Sequence, residues 1–152
     1  MKDQKHLAIS SVPVQDWGHL YEQKEAFTKG TIFSDLDKPF YVTVEADQKP
    51  SGSDYEPDSW QGMLLQIQEI SFVLDDVRLY LDMHPEEEEG IKVLKDYTLK
   101  RKNLLKKFAD RFYPLTSDCM SEIFDKDPDT NSYCWQSGPA PWEGGYGHED
   151  VC

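Results

Sequence analysis

Along residues 58–84 the apolar positions Met63, Ile67, Ile70, Leu74, Val77 and Leu81 recur at alternating steps of four and three. On a helix that spacing gathers side chains into one narrow seam, so the pattern predicts a long amphipathic helix here. Beyond the break at Met83-His84-Pro85, Ile91, Leu94, Thr98, Leu105, Phe108 and Phe112 keep the same rhythm and skip only Arg101. Two such stripes joined by a short turn predict an antiparallel helical hairpin, and with it a mainly α fold.

The ends of both segments carry matching chemistry. Asp58 is placed to cap the first helix, with Gln61 three residues on to complete a capping box. Pro85 suits the first turn of the second helix, where a missing N–H costs nothing. Glu86, Glu87, Glu88 and Glu89 then face the positive end of that helix dipole, Lys106, Lys107 and Arg111 its negative end, and Pro114 stops it. Asp58, Glu69, Asp75, Asp76 and Asp82 make the first helix acidic, whereas the second is rich in lysine and arginine. Antiparallel packing would set these opposite charges against each other. Exposed pairs are worth only about 0–1 kcal/mol each, against roughly 1.5–3 kcal/mol for burying each large apolar residue. Packing therefore sets stability and charge helps select the partner helix. A lone hairpin is short of core and is expected to need a third element or another chain.

The flanks are less regular. Residues 1–16 read as a loose arm without periodicity. Trp17, Leu20, Tyr21, Ala26 and Phe27 are compatible with one short helix ending at Lys29-Gly30-Thr31. Phe33, Leu36, Phe40 and Tyr41 follow in a segment fixed by Pro39, Val42 to Glu45 suits a brief extended piece, and 49–57 reads as a linker of turn formers. The chain thus divides into an arm (1–16), a compact segment (17–48), the linker and a hairpin domain (58–152). Within that domain Thr116 to Phe124 predicts a short helix capped at Ser117 or Asp118. The end, from Tyr133 to Gly147, interleaves aromatics with Pro and Gly; its tryptophans suit a strip lying across the hairpin or a partner.

Bulk composition narrows the function classes. A hydrophobic content of 38% leaves part of this 152-residue chain unable to build a core. A net charge of −13 argues against nucleic acid as a partner. The Lys100-Arg101-Lys102 and Lys106-Lys107 face reads as solvated helix surface. There is no apolar run of membrane-spanning length and no secretory signal pattern at the start, which leads to an expectation of cytosolic synthesis. Cys119, Cys134 and Cys152 lack zinc-ligand spacing and read as free thiols in a reducing compartment, available for cross-linking in an oxidising one.

No constellation for catalysis or metal binding emerges. His84 with Glu86 to Glu89 fits a capped helix start better than a metal cluster, because consecutive glutamates on a helix point to different sides. Glu69, Asp75 and Asp76 read as solvated or partner-facing. Ser71 and Ser121 lack a nucleophile-elbow setting, and Gly144-Gly145-Tyr146-Gly147 has no preceding strand to make it a phosphate loop.

Two stretches carry a family resemblance. The run Ile70-Ser71-Phe72-Val73-Leu74-Asp75-Asp76-Val77-Arg78-Leu79-Tyr80-Leu81-Asp82-Met83-His84-Pro85 resembles the CotJB family, in which such a helix ends in a Leu-Asp-x-His-Pro turn. The tail Tyr133-Cys134-Trp135-Gln136-Ser137-Gly138-Pro139-Ala140-Pro141-Trp142-Glu143 is similar to that family's closing pattern, so the resemblance covers Trp60 to Glu143. Upstream, Gly30-Thr31-Ile32-Phe33 and Leu36-Asp37-Lys38-Pro39-Phe40, within Ala26 to Phe40, resemble the CotJA family. Ala140, where a bulky aromatic is expected, and the polar insert at Asp125 to Asn131 depart from the CotJB pattern.

The resemblance implies a non-enzymatic structural or assembly component of the inner spore coat, made in the mother-cell cytoplasm and deposited in the coat. It implies CotJC, a manganese-catalase-like protein, as partner, with any catalase chemistry belonging to CotJC and no cofactor here. The residues expected to pack or bind partners are Phe33, Leu36, Phe40, Ile67, Phe72, Leu74, Tyr80, Leu81, Trp135 and Trp142. The rival reading, motivated by the acidic region beyond Pro114, is a small metal-handling or regulatory protein that supplies manganese to such a catalase. Self-association is open in either reading.

Overall fold

The computed structural model of the chain describes residues 14–38 and 55–138. Helix α1 covers Gln23–Lys29, α2 Trp60–Met83, α3 Glu88–Arg111 and α4 Met120–Lys126. Short 3₁₀ turns lie at Ser34–Leu36, Ser117–Cys119 and Cys134–Ser137. The described residues contain no strand, only an isolated antiparallel bridge between Leu20 and Phe33. The antiparallel hairpin of α2 and α3 is present, and α1 packs on α2.

On α2 the predicted seam is the buried one: Met63, Ile67, Ile70, Leu74 and Val77 are buried and Leu81 is partly so. On α3 the expected Leu94, Leu105, Phe108 and Phe112 pack in the core. Thr98 departs from the expectation by being exposed, and Val93, Tyr97 and Leu104 join the packing. Arg101, set aside in the sequence pattern, belongs to this seam: its Nε donates to Ser71 Oγ at 2.8 Å, and Ser71 Oγ donates to the Ile67 carbonyl at 2.7 Å. The seam position is therefore kept and filled by a polar pair, because the long arginine stem packs while its head finds an acceptor. This layer falls between two apolar clusters. One holds Val73, Val77 and Tyr80 with α1 and its flanks; the other holds Met63, Ile67, Phe108 and Tyr113.

The helix ends also shift. Ser59, not Asp58, caps α2, with its side chain accepting from the Gly62 N–H, and it donates in turn to the Glu56 carbonyl. Helix α3 begins at Glu88 with Glu87 as N-cap, so Pro85 lies in the turn rather than in the helix. Pro85 disfavours helical backbone at the residue before it, which helps end α2 at His84. The His84 ring stacks on Tyr80 with centroids 4.3 Å apart, and the His84 N–H closes on the Tyr80 carbonyl. Trp17, Leu20 and Tyr21 precede α1 as extended chain instead of forming its first turns. There Tyr21 N–H donates to the Ile32 carbonyl and Ser34 N–H to the His19 carbonyl, a ladder that a helix would have broken.

Charge sorts differently from the expectation. Among the described ion pairs only Asp58 with Arg111, 3.7 Å apart, bridges the two sides of the hairpin. Helix α3 pairs instead with α4: its Lys106 meets Glu122, and its Asp110 meets Lys126. Thr116 precedes the 3₁₀ turn that leads into α4, so neither Ser117 nor Asp118 is the cap. At the open end of the hairpin the Trp60 Nε1–H donates to Tyr113 Oη at 3.0 Å, and Gly138 lies against the Tyr113 ring. The tail thus reaches the hairpin. Cys119 carries a buried free thiol and Cys134 is disulfide-bonded, so the expectation of free thiols holds for Cys119 alone of these two.

Candidate functional site

The segment before the linker folds onto the hairpin of its own chain. Gly30 ends α1 at φ 80°, a left-handed conformation that a side chain would resist. The turn brings Ile32 and Phe33 down onto α2, where both are buried. Thr31 Oγ1 accepts from the Phe33 N–H, and the Ile32 N–H donates to the Asp76 carboxylate at 2.8 Å. Gln23 donates to Glu69, which is 7% exposed beneath α1. The acids expected to be solvated or partner-facing thus divide: α1 and the turn after it cover Glu69 and Asp76, whereas Asp75 pairs with Arg78 on the surface.

Aromatic rings lock this junction. Trp17 meets Phe33 edge-on at 5.6 Å and Tyr80 at 5.1 Å, while Phe33 and Tyr80 lie 5.3 Å apart. A Cβ at Gly90 would stand 3.3 Å from the Trp17 ring, so the bare backbone at the start of α3 lets the indole seat between the helices. Phe27 meets Phe72 edge-on at 5.9 Å. Burial pushes the Tyr80 phenol above its ordinary value, with the charges of Glu87 and Asp16 adding to it. Farther along, Asp37 accepts from Tyr21 Oη at 3.1 Å and pairs with Lys29 at 3.0 Å; these hydrogen bonds hold its carboxyl below the ordinary value.

Docking creates a groove of about 660 Å³ lined by Val14, Phe33, Leu36, Leu79, Tyr80, Met83 and His84, with Gln15 and Asp76. Val14, Leu36, Leu79 and Met83 stand 78%, 51%, 68% and 79% exposed around it. Large apolar groups clustered in this way mark a surface that excludes water on contact. Neither half of the chain makes the groove alone: Val14, Phe33 and Leu36 come from the N-terminal segment, the rest from α2 and its turn.

The residues expected to pack or bind partners therefore separate. Phe33, Ile67, Leu74 and Tyr80 are buried within the chain, Leu81 and Phe72 are partly covered, and Leu36 and Trp135 remain exposed. Phe40 and Trp142 lie outside the described residues. Sequence reasoning missed Val14, Leu79 and Met83; Leu79 and Met83 fall off the seam of a helix whose seam was already filled, and that was the signal available. Among the described residues no three of His, Cys, Asp or Glu are grouped to hold a metal ion, and no helix is long and apolar enough to cross a membrane.

The CotJB protein family matches residues 61–143, and the family described as spore coat associated protein JA, CotJA, matches residues 6–40. The second match begins within the stretch read as a loose arm. Neither a curated protein nor a solved structure matches the chain. With the CotJB match covering more than half of its length and a CotJA-matching segment folded upon that hairpin, the chain belongs to the CotJB family and is a spore coat associated protein.

Proposed function

We propose that the chain is a non-enzymatic assembly component of the inner coat, made in the mother cell, that binds another coat protein through the composite apolar groove. The expected occupant is the manganese-catalase-like CotJC, the partner implied by family membership. The observation that carries this reading is the ring of Val14, Leu36, Leu79 and Met83, exposed around one groove that both family segments build. In this role the CotJA-like segment completes the binding face of the CotJB-like hairpin in cis.

Co-expression with CotJC and size-exclusion chromatography test the reading. The two proteins should comigrate, and Leu79→Asp or Met83→Asp should separate them without loss of helicity, because both residues are exposed in the free chain. Separate elution of the unmodified proteins would sink the proposal.

A further inference from the structure

A second groove, of about 410 Å³, runs between α2, α3 and the 3₁₀ turn leading into α4. Its α2 residues, Leu74 and Arg78, fall on a different face of that helix from Asp76, Tyr80 and Met83, so it is separate from the apolar groove. Arg78, Arg101, Lys102 and Lys106 line it, against Asp118 and Glu122. In a chain of net charge −13 this is a local reversal of sign. Exposed charges beyond about 8 Å are largely screened at physiological salt, so the local sign governs what can dock.

The cations are unequally committed. Lys106 is paired with Glu122, and Arg78 with Asp75. Arg101 is partly buried and held by Ser71 through its Nε, and among the described residues no carboxylate lies within ion-pair distance of Arg101 or Lys102. An arginine anchored at Nε keeps its two terminal amino groups as a preset fork, the geometry that suits a carboxylate. Thr98, Thr116 and Ser121 add hydroxyls to the same lining, and Leu74 and Leu105 supply apolar surface for the methylenes of an incoming side chain.

We propose that this groove binds an acidic peptide segment of a protein partner, with a glutamate or aspartate carboxylate seated on Arg101 and Lys102. The site is independent of the apolar groove, so its test and that of the docking reading fail separately.

The test is fluorescence polarisation of a labelled oligoglutamate peptide titrated with the full chain at low salt. Saturable binding is expected, weakened at least about tenfold by Arg101→Gln, roughly 1.4 kcal/mol. Lys102→Gln should weaken it in the same direction and cannot disturb the core, since Lys102 is exposed. Lys92→Gln, an equal change of charge on α3 outside the groove, should leave binding within about twofold. Absence of saturable binding, an equal loss with Lys92→Gln, or inorganic phosphate displacing the peptide at equal concentration would each overturn the assignment to an acidic peptide.

Discussion

The carboxylate of Asp76, midway along α2, accepts the backbone N–H of Ile32 at 2.8 Å, across 44 residues of sequence. This bond sets the Gly-Thr-Ile-Phe turn at the level of Tyr80 and so aligns the N-terminal segment with the hairpin tip. Asp76→Ala leaves a buried N–H without an acceptor, at a cost of about 1–3 kcal/mol. Hydrogen exchange at the Ile32 amide should accelerate while the amides of α3 stay protected; equal acceleration in both would show that the segment and the hairpin open together.

Among the described glycines Gly62 leaves the least room for a side chain, since a Cβ there would lie 2.0 Å from the Glu56 carbonyl oxygen. Helix propensity alone favours alanine by about 1 kcal/mol. Gly62→Ala should nevertheless lower the denaturant midpoint, by an amount equivalent to about 1–3 kcal/mol, because backbone has to move. A raised midpoint would refute this packing.

Phe108 is 0% exposed and meets both Phe112 and Tyr113 ring to ring. Phe108→Ala should cost about 3–5 kcal/mol in chemical denaturation, by lost transfer energy and the cavity left behind. Leu74→Asp, which places a charge in the seam, should abolish the helical circular dichroism signal of the hairpin. Retained helicity in Leu74→Asp would remove that residue from the core.

Asp37 has a pH signature with a definite sign. Its carboxyl lies below the ordinary value of 3.8 because Lys29 and Tyr21 hydrogen-bond to the charged form. Its contribution is therefore present above 3.8 and is lost as pH falls through the lowered folded-state value. Trp17 fluorescence should report loosening of the segment in that acid window. In Asp37→Asn this component of the transition should vanish; an unchanged acid profile would assign it to other carboxylates.

The α2 seam was legible because alternating steps of four and three admit only one buried face, and Met63 to Val77 occupy it as the spacing required. The turn was legible from His84-Pro85, and the family from the Gly30 to Phe33 and Leu36 to Phe40 motifs with the hairpin sequence. Along α3 spacing alone drew Thr98 into the stripe, one step of four after Leu94, and Arg101, the next position in the same rhythm, was set aside as polar. Hydropathy does not register that an arginine stem packs when a hydroxyl such as Ser71 waits for its head. Trp17 to Tyr21 looked helical for a related reason: a few apolar residues suit either period, and only the Ile32 and His19 carbonyls select the extended form.

Local periodicity and cap chemistry, both properties of neighbours in sequence, determined that this chain forms two long helices joined by a tight turn. Where the N-terminal segment sits, which acids lie beneath it, and which apolar residues stay uncovered were decided by tertiary structure alone. Those outcomes depend on contacts between residues tens of positions apart, such as Ile32 with Asp76 and Trp17 with Tyr80, whose formation no local spacing encodes. The groove at Val14, Leu36, Leu79 and Met83 is the result: apolar surface left open once the hairpin and the N-terminal segment had packed together.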